Sequence, residues 1–168
     1  PGAPPAPAAR PQTRASDVAP RSIPAVGYQV GSGDTKIDLK GTPLGAGAVG
    51  EASVEARTSV TTIEAKLQKL PPTTQLGTEF LAYVMWAVSP EGRAVNLGEM
   101  RPNKDGRAAL KTTTQLQAFS LLVTAEPYPA VRLPSEMLIA ENEIRKGTKG
   151  KRFIVENYPL LKRSLYQK

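Results

Sequence analysis

The hydrophobic residues of this chain fall into short runs that alternate with polar residues, and turn residues separate the runs. The longest run is Phe80–Val88 (FLAYVMWAV), which ends at the turn Ser89–Gly92 (SPEG). A continuous apolar strand must be covered on both faces, so this segment is predicted to lie at the centre of a packed sheet structure. Trp86 stands in the middle of this strand and is predicted to supply the largest side chain of the core.

Seven further segments have the alternation or the β-like composition of strands, with turn residues between them. They are Thr35–Lys40, Glu51–Arg57, Val60–Lys69, Arg93–Met100, Arg107–Thr113, Phe119–Glu126 and Met137–Ala140. About eight short strands at regular spacing are typical of a sandwich, and no helical repeat intervenes before residue 156. The pattern predicts an all-β fold over residues 28–142, an immunoglobulin-like antiparallel β-sandwich of about seven to eight strands.

The two flanks of this predicted domain lack a core-forming pattern. Residues 1–27 are rich in Pro and Ala, and prolines fix φ and remove amide donors, so an extended tether is predicted there. Residues 143–168 begin polar and basic, and within them Glu156–Gln167 has Leu160, Leu161, Leu165 and Tyr166 at helical spacing. This spacing predicts a short C-terminal helix, which is too short to be stable alone and is expected to dock.

The formal charge of +7 is concentrated at the C-terminal end of the chain. From Arg145 to Lys168 there are eight basic residues and a single acid, Glu156, so residues 1–144 are neutral as a whole. Such a segment can bind anionic lipid headgroups, an acidic protein face, or nucleic acid with aromatic residues stacking on bases. A protein or lipid surface is favoured, and no nucleic acid is expected because no nucleic-acid-binding motif is recognisable.

The chain has no histidine and no cysteine. Their absence removes the commonest general base at neutral pH, the softer metal ligands and every thiol mechanism. The acids nearest the core strands are predicted to be solvated or paired with arginines rather than to form a catalytic or metal site; they are Glu79, Glu91, Glu99 and Glu126. We therefore predict a protein that is not an enzyme and uses no cofactor. A carboxylate-dependent hydrolase is the less favoured alternative, because it needs two acids in a cleft.

Candidate partner contacts lie in the two flanks and in one loop. In the N-terminal flank they are Pro4, Pro5, Pro7, Arg10, Arg14 and Arg21; in the C-terminal flank they are Lys149, Lys151, Arg152, Tyr158, Lys162, Arg163 and Tyr166. The loop residue is Tyr128, which stands between two prolines that restrict its backbone. Tyr128 has two interpretations, an anchor for a contact or a structural corner residue.

Three segments in order resemble a known family: Tyr83–Glu99 (YVMWAVSPEGRAVNLGE), Leu116–Pro134 (LQAFSLLVTAEPYPAVRLP) and Tyr158–Tyr166 (YPLLKRSLY). They are similar to the N-terminal β-sandwich domain of OmpA-type bacterial envelope proteins. The first two segments are also similar, more distantly, to the extracytoplasmic domain of anti-sigma-K factors. The resemblance implies an extracytoplasmic, non-catalytic sandwich, and it supplies no catalytic residues.

These observations together favour a periplasmic accessory or structural subunit, peripheral to or tethered at a bacterial membrane. It would dock on and stabilise a membrane-associated protein complex, and respiratory, photosynthetic, secretion and cell-wall assemblies all fit. The missing cysteines agree with an oxidising compartment. The two flanks would give two weak attachments that strengthen each other through effective concentration. The alternative is an extracytoplasmic ligand-binding or sensor module, which predicts a concave apolar pocket with convergent polar groups.

Overall fold

Ten β-strands make up most of the described chain. The computed structural model describes residues 18–45 and 47–161 and, within them, the side chains from residue 22 to residue 156. The strands are β1 (Val18–Gly27), β2 (Asp34–Gly41), β3 (Val49–Ala56), β4 (Thr61–Gln68), β5 (Ala82–Val88), β6 (Ala94–Met100), β7 (Ala108–Thr114), β8 (Ala118–Glu126), β9 (Leu138–Glu143) and β10 (Lys151–Leu161). Two short 3-10 helices, Pro43–Gly45 and Thr73–Leu76, lie in the connections.

Strands β2 to β9 correspond to the eight segments that the sequence pattern predicts, with ends that differ by up to three residues. Strand β4 shows the reason. Its residues Thr61, Ile63, Ala65 and Leu67 are buried, and the residues between them are exposed or half-buried. Because successive side chains of a strand point to opposite faces, the alternation defines both the strand and the face that packs on the core.

Strands β2 to β9 form one antiparallel sheet that curls into a nearly closed barrel, in the order β6-β5-β8-β9-β2-β3-β4-β7. Between β6 and β7, at the two ends of this order, the described residues form no ladder. Instead, Thr112 Oγ1 donates a hydrogen bond to Leu97 O across this opening (3.1 Å). The immunoglobulin-like sandwich is therefore not confirmed, because a single sheet curls round one core instead of two separate sheets facing each other.

Strand β5 separates two hydrophobic cores, and all of its residues are buried. Tyr83, Met85 and Ala87 belong to the large core inside the barrel. Val84, Trp86 and Val88 belong to a smaller core on the outside of the barrel wall. The prediction that this strand is covered on both faces is confirmed, as is the core position of Trp86, which is fully buried.

A two-stranded ribbon of β1 and β10 covers this outer core. The two strands pair antiparallel from Val18↔Leu161 to Gly27↔Lys151. The ribbon joins the barrel where Val26 pairs with Phe119 of β8. Its buried residues Ile23 and Val155 pack with Trp86 in the outer core. The ribbon therefore adds a second layer to the barrel wall on this side.

The predicted tether over residues 1–27 thus includes a strand of the fold from Val18 onwards, and residues 1–17 lie outside the described residues. Prolines fit here because Pro24 turns away from β10. Its carbonyl oxygen accepts hydrogen bonds from Ser120 Oγ (2.5 Å) and Asn142 Nδ2 (3.1 Å). A proline is compatible with a strand at a position where no ladder amide is needed.

The predicted C-terminal helix is not confirmed. Residues 156–161 of the predicted helix lie in β10, and residues 162–168 lie outside the described residues. Strand β1 offers backbone partners along β10 on both sides of a register shift at Glu156 and Asn157, and this pairing outweighs the helical spacing of a few leucines.

Candidate functional site

The loop 144–150, which connects β9 to β10, is held in place by two threonine side chains. Thr148 Oγ1 donates a hydrogen bond to Lys36 O (2.7 Å) and accepts one from Arg145 N (3.2 Å). Thr148 N donates to Arg145 O (3.0 Å), and Lys149 N donates to Thr35 Oγ1 (2.8 Å). Thr148 and Thr35 are both buried, so these bonds fix the backbone of the loop against β2.

A glycine completes the geometry of this loop. Gly150 has a φ of 134°, a region that side-chain-bearing residues rarely adopt. A Cβ at this position would lie 2.6 Å from Gly27 O, where the loop meets the end of β1. The close approach of these two backbone segments brings Lys151 opposite Gly27 and starts the β1–β10 ladder.

The acidic side chains beside the loop are already engaged. Arg145 Nη1 donates hydrogen bonds to Asp38 Oδ1 (2.9 Å) and Glu51 Oε1 (3.1 Å), and Lys36 Nζ lies 3.5 Å from Glu51 Oε2. Partial desolvation works to raise the pKa of Glu51, but the bond from Arg145 and the charge of Lys36 outweigh it, so this pKa is lowered. Glu51 therefore stays ionised and holds Arg145 and Lys36 in place.

Four other cations remain without an acidic partner. Lys146, Lys149, Lys151 and Arg152 form no ion pair within 4 Å in the described part of the chain, and we call these four the basic surface. Lys151 Nζ lies 5.5 Å from the ring centroid of Phe153, in a cation–π contact. Arg152 Nη2 donates to Thr148 O (3.4 Å). Three of the predicted contact residues, Lys149, Lys151 and Arg152, therefore follow one another where the loop enters β10. Lys151 lies on the same face of the strand as Phe153, and Arg152 lies on the opposite face.

Arg21 and Tyr158, two more predicted contacts, face each other on the ribbon as a backbone pair of β1 and β10. Tyr158 lies on β10, the strand that also carries Lys151 and Arg152. The remaining predicted contacts of the flanks lie outside the described residues; they are Pro4, Pro5, Pro7, Arg10, Arg14, Lys162, Arg163 and Tyr166.

Tyr128 lies in the loop between β8 and β9. Its side chain is 53% exposed, and its hydroxyl makes no hydrogen bond to any described residue. The structural-corner interpretation requires the hydroxyl to bond to backbone and is not confirmed. Asn96 Nδ2 donates to Pro129 O and Val131 O (2.8 Å each), which holds the loop against β6 and leaves the ring of Tyr128 outside.

A buried polar network at the end of β8 was not predicted from the sequence. Trp86 Nε1 donates to Thr124 Oγ1 (2.9 Å), and the Thr124 hydroxyl donates in turn to Glu126 Oε2. The same carboxylate oxygen accepts from Ser135 N (2.8 Å), and Ser135 Oγ donates to Ala125 O (2.9 Å). Glu126 is fully buried, so the part of the prediction that expected a solvated side chain is wrong. In contrast, Glu99 does pair with Arg101 (3.1 Å).

The network leaves a faint signal in the sequence. Thr124 and Glu126 are polar residues of a mostly apolar strand, on the face that carries Leu122 of the outer core and Ser120. Polar residues on a core-facing register are the pattern that indicates a buried, hydrogen-bonded group. The bond from Trp86 shows that this network fixes the central indole ring in its orientation.

The grooves found on the described part of the surface are open. Five grooves of about 360 to 530 Å3 are open to solvent, and none of them is the enclosed apolar pocket that a ligand-binding module predicts. Residues 18–45 and 47–161 hold no group of three or more His, Cys, Asp or Glu side chains that would fit a metal ion. In the same ranges, no helix has the length and apolar character needed to cross a bilayer.

No known protein suggests a function for this chain, so the functional proposal below rests on the fold and on the basic surface. Neither a scan against protein-family models nor searches of curated proteins and of solved structures found a significant match to this chain. The resemblance to the OmpA-type sandwich domain accordingly stays a prediction from the sequence.

Proposed function

We propose that this protein is a non-catalytic docking module that binds an anionic partner through the basic surface. The single observation that carries the proposal is the fixed support of that surface. Thr148 and Thr35 bind the backbone of loop 144–150, so its lysines project from a rigid base. A preorganised loop loses less conformational entropy on binding than a free basic tail does.

Charge supports the same proposal. Asp38 and Glu51 are paired with Arg145 and Lys36. Asp34 lines the same groove as Lys146 and Lys149 and accepts a hydrogen bond from Ser53 Oγ (2.8 Å). The four cations of the basic surface outnumber this one carboxylate, so the surface keeps a net positive charge. Positive charge of this kind raises the association rate with a negatively charged surface and disfavours positively charged competitors. We propose that the partner is an acidic face of a protein subunit. The alternative partner is an anionic lipid surface, and the experiment below distinguishes the two.

We place this partner in a membrane-associated complex on the extracytoplasmic side of a bacterial membrane, where the module would act as an accessory or structural subunit. The sequence resemblance and the absence of cysteine support this location. Respiratory, photosynthetic, secretion and cell-wall assemblies are all compatible with it. The β-sandwich domain of the OmpA-type envelope proteins would correspond here to the two-layered side of the barrel, where the β1–β10 ribbon packs on β5 and β8.

The experiment is affinity purification of the protein from gently solubilised membranes of the native organism, followed by mass spectrometry. We expect recovery in near-equal amounts with one complex. The double variant Lys146→Glu/Lys149→Glu should lose that complex. A matched variant, Lys104→Glu/Lys111→Glu, changes the charge equally at two exposed positions outside the basic surface and should retain it.

Three results would contradict the proposal. The complex could survive the reversal at Lys146 and Lys149, or both double variants could lose it equally. The third result is recovery of the wild-type protein as a free monomer. Flotation with protein-free vesicles, half phosphatidylglycerol and half phosphatidylcholine, separates the two kinds of partner. Loss of flotation only in the first variant, without a copurifying complex, would assign the basic surface to lipid and overturn the protein-docking proposal.

A further inference from the structure

Strand β10 lies at one end of the strand order, and among the described residues one of its edges has no partner strand. Within the described residues it pairs with β1 alone, over a strand of 11 residues. An edge of this length presents a row of unpaired amide and carbonyl groups, which is a template for pairing with another strand. The free edge of β10 is therefore a second candidate interaction surface, in addition to the basic surface.

The hydrogen bonds of Pro24 show which backbone amide and carbonyl groups of β10 point to the free edge. Because the carbonyl of Pro24 bonds to Ser120 and Asn142, Pro24 and its partner Ile154 form a non-hydrogen-bonded pair of the β1–β10 ladder. The pair Val26↔Arg152 is of the same type, since Val26 turns its backbone towards Phe119 of β8. The backbone groups of Arg152 and Ile154 consequently point to the free edge.

The side chains of β10 divide into two faces. Val155 is fully buried in the outer core, and Phe153 packs against that core. Arg152, Ile154 and Glu156 are exposed, and Ile154 is an exposed large aliphatic residue at 60%. One face of the strand thus holds Arg152, Ile154 and Glu156 at every second position. The β1–β10 ladder shifts register after Val155, so Glu156 has no ladder partner on β1.

The geometry points to a second copy of this chain as the occupant of the free edge, with the two β10 strands antiparallel and Ile154 at the two-fold axis. In this register Ile154 lies opposite Ile154 of the second copy. Arg152 lies opposite Glu156 of the second copy, and Glu156 opposite Arg152 of the second copy. Opposite charges at directly facing positions stabilise a strand pair. A two-fold axis makes the interface self-complementary.

Neighbouring registers lack this complementarity. If Arg152 is placed on the axis, two arginines face each other, and if Glu156 is placed there, two glutamates do. The two intermediate registers put Ile154 opposite a charged residue. Among the pairings that join the outward-facing residues, only the register centred on Ile154 combines two opposite-charge pairs with an apolar pair. This charge complementarity favours a second copy over an unrelated strand.

The self-pairing goes beyond the proposed docking function and does not depend on it. It uses the free edge at Arg152, Ile154 and Glu156, whereas the docking test changes Lys146 and Lys149 of loop 144–150. Arg152 belongs to both surfaces, but neither test depends on the outcome of the other. A pair of modules would present two basic surfaces together, which strengthens binding to a repetitive or extended anionic partner. Failure of the self-pairing would leave the membrane-complex experiment unaffected, and the reverse also holds.

The test is a charge-exchange experiment on the full chain, with the association measured by sedimentation equilibrium at low ionic strength. We expect wild type to dimerise, and Arg152→Glu to weaken the dimer by about tenfold or more because like charges then face each other twice. Glu156→Arg should weaken it similarly. An equimolar mixture of these two single variants should restore association, since every facing pair in the mixed dimer is then of opposite charge.

A backbone variant provides a second readout. Ile154→Pro removes an amide that faces the free edge, so it should abolish the dimer while the thermal unfolding of the monomer remains cooperative in circular dichroism. Charge reversal at exposed Lys111 serves as the control and should leave the dimer intact. A wild type that is monomeric throughout the millimolar range would overturn the inference. So would a dimer that tolerates Ile154→Pro, or single variants whose mixture does not associate.

Discussion

Replacement of Trp86 by alanine should destabilise the protein by about 3–5 kcal/mol, the range observed for Trp or Phe truncations in well-packed cores. The side chain is fully buried between the barrel wall and the β1–β10 ribbon, where Ile23, Val155 and Leu122 belong to the same core. Its removal leaves a cavity that both layers would have to close. The bond to Thr124 Oγ1 is also lost, which contributes about 1 kcal/mol of that total.

Two variants separate the contributions. Trp86→Phe keeps an aromatic ring and loses the indole N–H, so it should cost about 1–2 kcal/mol. Leu81→Ala is the control, because Leu81 is 67% exposed and its truncation should change stability by less than about 0.5 kcal/mol. Urea unfolding should be followed by far-UV circular dichroism, since Trp86 is the only tryptophan and its variants lose the fluorescence signal.

The reasoning would be refuted by a loss below about 1 kcal/mol in Trp86→Ala at an unchanged dependence on urea. That result would mean that the ribbon does not cover the indole ring in solution. A loss in the expected range with an unchanged urea dependence would instead establish that the outer core is part of the cooperative unit.

Three further predictions test other parts of the structure. Deletion of residues 1–17 should leave the melting temperature nearly unchanged, whereas deletion of residues 1–27 removes β1 and should abolish cooperative thermal unfolding. If the two truncated proteins melted at the same temperature, β1 would not be part of the folded unit. Burial raises the pKa of Tyr83 to about 12 from 10.0 in the unfolded chain. The contribution of the neutral Tyr83 hydroxyl to the free energy of unfolding is therefore complete below pH 10 and is lost as the pH rises to 12. Tyr83→Phe should therefore flatten the decline of the unfolding free energy over this range, and an unchanged decline would exclude Tyr83 as its source. Thr148→Val should lower the free energy of unfolding by about 1–2 kcal/mol and speed amide hydrogen exchange in loop 144–150. Thr113→Val, at an exposed position, is the control. Unchanged exchange in the loop would show that Thr148 does not hold it.

Part of the candidate site was visible in the sequence. The concentration of charge after Arg145 is a property of composition and identifies Lys149, Lys151 and Arg152 directly. Composition could not show that Arg145 is neutralised by Asp38 and Glu51, since these residues come together only when β2, β3 and the β9–β10 loop are assembled. The same assembly fixes the backbone of loop 144–150, a segment that shows no core-forming pattern in the sequence.

The buried network illustrates a different limit. Glu126 ends a predicted strand, and an acid at that position is ordinarily solvent-exposed. Its burial depends on the β8–β9 loop, which returns to bring Ser135 N to the carboxylate and covers the end of the strand. The path of that loop is set by contacts such as the bond from Asn96 to Pro129, and no local pattern specifies them.

The sequence by itself determined the eight strands β2 to β9, the two-sided burial of β5 and the core position of Trp86. Each of these follows from the alternation or continuity of apolar residues within a few positions, because the pleat of a strand is a local property. Only the tertiary structure decided that the sheet closes into a barrel and that β1 pairs with β10. That pairing joins Ile23 to Val155 across most of the chain, and both strands satisfy their backbone groups through partners distant in sequence. Hydrophobic pattern defines the faces of strands, but the choice of neighbour depends on how the whole chain satisfies its hydrogen bonds and covers its apolar surface.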